Sequence, residues 1–221
     1  MNRMALLFVA LLCTLPRPAQ ASPINLGFET GDFSGWNVVM PFGVGEYSPG
    51  LTPAGSTNVM EEFLDSMLAV EGTHFAVIGT GNASYAPGQG SFNIYASQTL
   101  SMDAGTVLSG WSRFYNGDYE AQDSAWVTIY DSLGHVVATP WAQTSGRNPA
   151  VDYRSSTSWE EWRWEASHAD TYTLAIGATT FGDNRLSSYG AHDGIKVPEP
   201  STLYCLAGVF ATLLARGRRR H

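Results

Sequence analysis

Three carboxylates, Glu29, Glu71 and Asp193, each fall close to a glycine at the end of a run that reads as a strand. Carboxylate oxygens beside backbone carbonyls that glycine leaves open suit a hard cation taking about six to eight oxygen ligands, so this set points to calcium and not to zinc. Glycoside hydrolysis is a second chemistry, needing two carboxylates across the scissile bond, and a pair such as Glu160 with Asp183 could supply them. With 20 acidic residues in the chain, availability alone is no signature. There is no Gly-x-Ser-x-Gly elbow and no His-Glu-x-x-His, and Gly79-x-Gly81 lacks the third glycine and the following helix of a dinucleotide site. His74, His135, His168 and His192 fall one to a segment and read as edge or loop residues.

The seven tryptophans are more informative, because indole rings stack on sugar faces as well as filling cores. In Trp159-Glu160-Glu161-Trp162-Arg163-Trp164-Glu165, period-two alternation sets Trp162 and Trp164 on one face, against Glu161, Arg163 and Glu165 on the other, which reads as core. Trp126, Thr128 and Tyr130 oppose Val127 and Ile129, so one of these sets faces outward. Trp141 lies in a turn-rich stretch before Gly146. Trp141 and Trp126 are thus the residues offered for stacking on a glycan.

The elements that must hold these residues are mostly strands. Ile24 to Val39 reads as short apolar strands broken by Gly and Asp turns. Further strands are expected over His74–Ile78, Phe92–Leu100, Val107–Tyr115, Ala125–Asp131, His135–Thr139, Trp159–Ala166, Tyr172–Thr179 and Ser188–Val197. About ten short strands rich in aromatic and β-branched residues, with tight turns such as Asp131-Ser132-Leu133-Gly134, predict an all-β antiparallel sandwich. One short helical insertion interrupts it. Ser56 or Thr57 caps that helix, Glu61 and Glu62 suit its first turns, and Val59, Phe63 and Met67 share a face.

Both ends carry addresses. Arg3 precedes an apolar run from Met4 to Leu15, and Ala19 and Ala21 supply the small residues of a signal-peptidase site, so residues 1–21 read as a signal peptide. Residues 22–196 form the exported domain, and residues 197–221 a tail. In the tail, Pro198 and Pro200 flank Glu199 and keep the chain extended. Leu203 to Ala215 follows, apolar apart from Tyr204, Cys205 and Thr212, and then arginines to the end. As a helix this run reaches about 20 Å against a hydrocarbon core of roughly 30 Å, a gap that snorkelling arginines narrow, and the arginines stay cytoplasmic. A transmembrane helix is therefore expected here.

Cys13 and Cys205, the two cysteines, lie in these terminal segments, leaving the exported domain without disulfide or thiol nucleophile. That domain holds six basic and nineteen acidic side chains, a net of −13. Such a field repels phosphate backbones and argues against nucleic acid, while cations and neutral sugars remain compatible.

The order Val197-Pro198-Glu199-Pro200, short hydrophobic helix, arginine cluster resembles the PEP-CTERM sorting signal. The resemblance implies that exosortase, a membrane-embedded cysteine transpeptidase, recognises Pro198, Glu199 and Pro200, cuts near them and passes the domain outward. It implies a chain held briefly in the inner membrane of a Gram-negative-type envelope, then placed at the cell surface or in the extracellular matrix, in company with exopolysaccharide. Near the start, Asn25, Gly27, Phe28, Glu29, Gly31, Asp32, Gly35 and Trp36 resemble the opening of carbohydrate-binding-module-like, galactose-binding-like jelly rolls and of PEP-CTERM ectodomains. Glu71 to Ala76, Ser97 to Leu100 and Phe114 to Ala125 are similar to the same group. In those jelly rolls the Glu of Gly-Phe-Glu, a loop acid and an Asp near the last strand hold a structural calcium, which the resemblance assigns here to Glu29, Glu71 and Asp193. His192-Asp193-Gly194 departs from the usual acidic pair. The expectation is a non-enzymatic exported surface or matrix protein associated with exopolysaccharide, with a glycan-active hydrolase as the alternative.

Overall fold

Alternating apolar and polar side chains become eleven strands in the computed structural model, which describes residues 23–39, 50–53, 68–80, 92–119, 123–145, 151–180 and 188–197. In chain order these are β1 Asn37–Val39, β2 Gly50–Pro53, β3 His74–Gly79, β4 Phe92–Met102, β5 Val107–Asn116, β6 Ser124–Tyr130, β7 Val136–Thr144, β8 Ser155–Ser156, β9 Glu160–Glu165, β10 Asp170–Thr180 and β11 Tyr189–Lys196. β5 shows the pattern most clearly: every second side chain is buried along its whole length. The expected helical insertion, the signal peptide with Ala19 and Ala21, the sorting motif Pro198, Glu199 and Pro200, and the transmembrane helix all lie outside the described residues. Among the described residues there is no helix.

The strands form two sheets with every strand pair antiparallel. One has the order β1-β4-β10-β6-β7; the other has β2-β3-β11-β5-β8, with β9 also on β5. The chain crosses repeatedly between sheets, from β3 to β4, β4 to β5, β5 to β6 and β10 to β11, as a jelly roll does. Between the sheets lies the main core. Ile94, Ala96, Leu100, Val127, Ile129, Leu174 and Ile176 come from the first sheet and Ala76, Ile78, Leu108, Phe114, Trp162 and Ile195 from the second. Each fully buried side chain of this size contributes about 1.5–3 kcal/mol, which lets the domain hold without a disulfide.

Ile24 to Trp36 differs from the expected strands. Asn25, Phe28, Gly31 and Gly35 all take positive φ, and the segment is a succession of turns before β1. Phe28 at φ 62 is costly for a bulky residue, and what holds it is packing. Its ring is wholly buried, stacked on Trp36 at 5.2 Å and edge-on to Phe33 at 5.7 Å. Gln98 pins the segment to β4: its amide donates to the carbonyls of Ile24 and Gly35 at 2.7 and 3.1 Å and accepts the Ile24 N–H at 3.0 Å. These turns carry Glu29 to the end of the sandwich where β3 starts.

Candidate functional site

The outer face of the first sheet carries an open groove of about 600 Å³ along β10. Register builds it. Tyr95 of β4 and Trp126 of β6 both lie opposite Gly177 of β10, and one row further Ser97 and Thr128 flank Ala175. Thr99 and Tyr130 then flank Thr173. Small residues thus make the floor and aromatic rings rise from both sides. The Trp126 ring lies over Gly177, where an added Cβ would sit 2.6 Å from the ring and 2.8 Å from the Ile94 carbonyl oxygen. Its Nε1 donates to Thr179 Oγ1 at 2.9 Å, and Thr179 in turn donates to Asn93 Oδ1 at 2.6 Å, so the indole is fixed before anything binds. The Tyr95 ring stands 6.2 Å from it, tilted by 42°.

The far end of the groove is the turn from β6 to β7. Asp131 Oδ1 accepts the N–H of Leu133 and of His135 at 2.9 and 2.8 Å, and Ser132 Oγ donates to Asp170 Oδ2 at 3.1 Å. The His135 N–H, with that of Leu133 and the His135 ring, outweighs burial and holds the Asp131 carboxyl below its ordinary range. Among the described residues, Asp131 is the one carboxylate lining the groove and no basic side chain lines it. Rings fixed beside hydroxyls and a hydrogen-bond acceptor can stack on sugar faces and bind sugar hydroxyls. Glycoside hydrolysis takes two carboxylates, and among the described residues this groove presents one, already engaged by backbone N–H groups.

Of the two tryptophans offered to a glycan, the structure separates one from the other. Trp126 lines this groove. Trp141 does not: it lies within β7, is 6% exposed, and packs between the sheets. Its Nε1 donates to Glu160 Oε2 at 2.6 Å and its ring meets His192 edge-on at 5.8 Å. The reason is a β-bulge. Val127 pairs with Trp141 and Ile129 with Ala138, two residues on β6 against three on β7, and the extra residue turns Trp141 inward. His192, read as an edge or loop residue, is likewise a core residue with no exposure. Trp162 is buried and Trp164 packs against the core, as alternation predicts. Tyr95 was missed; its signal was the alternation of Tyr95, Ser97 and Thr99 against Ile94, Ala96 and Leu100. Asp183 lies outside the described residues, and Glu160 is occupied by Trp141 and Gln143.

Glu29, Glu71 and Asp193 do gather at one end of the sandwich, around residues 70–74. Glu29 accepts the N–H groups of Thr73 and His74, at 2.9 and 3.1 Å, and the Thr73 hydroxyl. Asp193 Oδ2 accepts the N–H groups of Val70 and Glu71, at 2.5 and 3.1 Å, while Oδ1 accepts that of Gly194 at 2.6 Å. Glu71 pairs with Lys196. Burial pushes the Glu29 pKa up, but those donors and nearby His74 outweigh it and the net shift is down. For Asp193 burial wins, Glu29 adds to it, and the net shift is up. As arranged, this set does not fit a hard cation. What converges on the two carboxylates is N–H hydrogen rather than carbonyl oxygen, and the third acid already has its cation in Lys196. Among the described residues no three His, Cys, Asp or Glu side chains are grouped to hold a metal. The loop supplies in partial charge what the sequence reading gave to calcium.

No protein-family model and no curated protein matches the sequence. Solved structures do resemble the fold. The K3 cleaved adhesin domain of Lys-gingipain from Porphyromonas gingivalis is 15% identical at TM-score 0.48, over 81% of this chain and 98% of that one. TmCBM61, solved in complex with β-1,4-galactotriose, is 17% identical at TM-score 0.44, over 79% and 94%. The enzymatically active domain of bacteriophage CBA120 tailspike protein 4 is 12% identical at TM-score 0.38, over 78% of this chain and 20% of that one. At these identities the likeness is one of architecture.

Proposed function

We propose that this chain is a non-catalytic glycan-binding protein of the cell exterior, and that the groove over β10 takes an uncharged polysaccharide. The observation that carries this reading is the Trp126 ring, held over Gly177 by its bond to Thr179 and with Tyr95 beside it in an open groove. A ring fixed before binding costs little conformational entropy when a sugar stacks on it. An open groove along a strand fits a chain of sugars better than a single one. With no lysine or arginine among the described lining residues, and with a domain net charge of −13, anionic glycans are disfavoured.

The same reading includes delivery. The tail from Val197 to Arg220 supports processing by exosortase, and Ala19 and Ala21 support prior cleavage by signal peptidase, after which the domain would join the exopolysaccharide or envelope surface. Mass spectrometry of the C-terminus of protein recovered outside the cell tests this part; an intact arginine tail there refutes it.

Binding is tested with the full chain and a panel of neutral polysaccharides, including exopolysaccharide from the source cells, by affinity electrophoresis and calorimetry. Trp126→Ala is expected to weaken binding roughly 30-fold, the loss of about 2 kcal/mol typical of a central aromatic anchor. Tyr119→Ala, an exposed ring outside the groove, is expected to bind as the parent does. No binding to any member of the panel, or equal binding by the Trp126 variant, overturns the proposal.

A further inference from the structure

The other end of the sandwich, where β3, β5 and β10 finish and β6 and β11 begin, closes over polar side chains. Thr80, Asn116, Asp118, Asp123, Thr180 and Ser188 are all buried there. Asn116 is the last residue of β5, 3% exposed, and the residue after it is Gly117. This is the one Asn-Gly step in the chain. In a free chain such a step is chemically labile, because glycine has no Cβ to shield its backbone nitrogen from the side chain before it. That nitrogen attacks the asparagine Cγ. The N–Cγ bond forms, the Cγ–Nδ2 bond breaks, and Nδ2 leaves as ammonia with the proton the backbone nitrogen gives up. Water then opens the resulting cyclic imide at either carbonyl carbon, leaving aspartate or isoaspartate.

The fold ties down each group that this reaction needs. Asn116 Nδ2 donates to the Val151 carbonyl at 2.7 Å, and Oδ1 accepts the Asp118 N–H at 3.0 Å, with Ser188 Oγ at 3.5 Å. The attacking nitrogen is turned elsewhere, donating its hydrogen to Ser188 Oγ at 3.1 Å. Ser188 is itself fixed to β3: its N–H donates to Thr80 Oγ1 at 3.0 Å and its carbonyl accepts the Thr80 N–H at 2.9 Å. On the other side the Asn116 carbonyl accepts the Arg154 N–H at 2.8 Å, and Asn116 pairs with Ser155 of β8. Neither the side-chain amide nor the following peptide is free to rotate towards the other. Burial also keeps out the water and hydroxide that remove the proton and open the imide.

We infer that Asn116-Gly117 is a deamidation site which folding closes, and that the modified chain cannot close this end again. Aspartate at 116 sets a carboxylate oxygen where Nδ2 stood, against the Val151 carbonyl oxygen. A buried donor and acceptor become two acceptors, and a buried polar group without its hydrogen bond is costly. Isoaspartate routes the backbone through Cβ and so lengthens it at the residue that pairs with Ser155. Time spent unfolded is thereby recorded as a covalent change, and unfolding becomes irreversible at the rate of this reaction. Neither the groove over β10 nor the C-terminal tail takes part.

The test incubates the full chain at mildly alkaline pH, folded and in guanidinium chloride above its unfolding midpoint, and follows the peptide containing residue 116 by mass spectrometry. In denaturant the mass change of NH2 replaced by OH is expected at Asn116, divided between an aspartate and an isoaspartate form. Without denaturant it is expected to be at least about a hundredfold slower, since the site opens only with the strand ends around it. After removal of denaturant, the yield of native protein is expected to fall in step with the modified fraction, and the native fraction to retain the amide. Gly117→Ala, followed in denaturant where folding is not required, is expected to slow the change severalfold. Three results would overturn the inference: no modification at residue 116 in denaturant, equal rates in the folded and unfolded chain, or refolded native protein that carries aspartate or isoaspartate at 116.

Discussion

Acidifying the protein from about pH 7.5 to about pH 5 is expected to cost it about 2 kcal/mol through one buried ring, that of His192. This imidazole lies between the sheets with no exposure, Nδ1 2.9 Å from Ser112 Oγ, which itself accepts the Trp162 indole N–H at 2.9 Å. Nε2 has no hydrogen-bond partner. The imidazolium needs acceptors for two N–H groups, and only Nδ1 has one. Burial accordingly pushes the pKa down to about 3. An unfolded chain takes up that proton near pH 6.5, so between about 6.5 and 3 the unfolded state binds more protons and stability falls as the pH falls. At pH 5 the gap to the unfolded value is about 1.5 units, worth about 2 kcal/mol at 1.36 per unit, whether the folded value is 3 or 4.

Asp123 works in the opposite sense over the same window. With its pKa raised to about 6, the folded state takes the proton first, and stability rises as the pH falls through 6. The bare pH profile of the parent therefore mixes the two, and a comparison with His192→Gln separates them. Urea unfolding of the full chain in chelator, at both pH values, gives a pH-dependent change for each protein. The parent is expected to lose about 2 kcal/mol more than the variant, whatever fixed offset the substitution introduces. Equal changes in the two proteins would show that His192 is protonated in the folded state and would refute the buried-neutral account.

Gly177→Val is expected to lower stability by about 1–3 kcal/mol and to abolish polysaccharide binding, because a Cβ there lies 2.6 Å from the Trp126 ring and 2.8 Å from a backbone oxygen that cannot step aside. Thermal melts and affinity electrophoresis read both effects, and a variant that melts and binds like the parent contradicts the packing. Gly72→Ala combines φ +64 with a Cβ 2.2 Å from the Glu29 carboxyl carbon, so it should expel Glu29 from the Thr73 and His74 N–H groups and cost about 1–3 kcal/mol. An unchanged urea midpoint would mean that the Glu29 contacts contribute nothing to stability. Alanine at Pro198, Glu199 and Pro200 together is expected to leave the protein in the inner membrane with its arginine tail; normal yield outside the cell would refute the sorting role.

Much of the strand layout was legible in the sequence because burial on one face of a strand has period two, a local property. β5 is the clearest case, and the inward placement of Trp162 followed from the same rule. The absence of thiols and the strong negative charge of residues 22–196 needed no structure at all. What local pattern could not give was phase across irregularities and partners across the fold. Trp141 was offered to a glycan because it lies in a turn-rich stretch before Gly146; pairing with β6 extends β7 through that stretch, and the β7 bulge turns the ring inward. The opening turns were read as strands because the positive φ of Asn25 and Phe28 is stabilised by the Phe28–Trp36 stack and by Gln98, far along the chain. Trp126 became part of a site only when β10 set Gly177 beneath its ring, and Asp118 and Asp123 became a buried pair only when five strand ends closed over them. Their charges, which in sequence mark a solvated surface, acquire their meaning from desolvation, and desolvation is decided by tertiary packing.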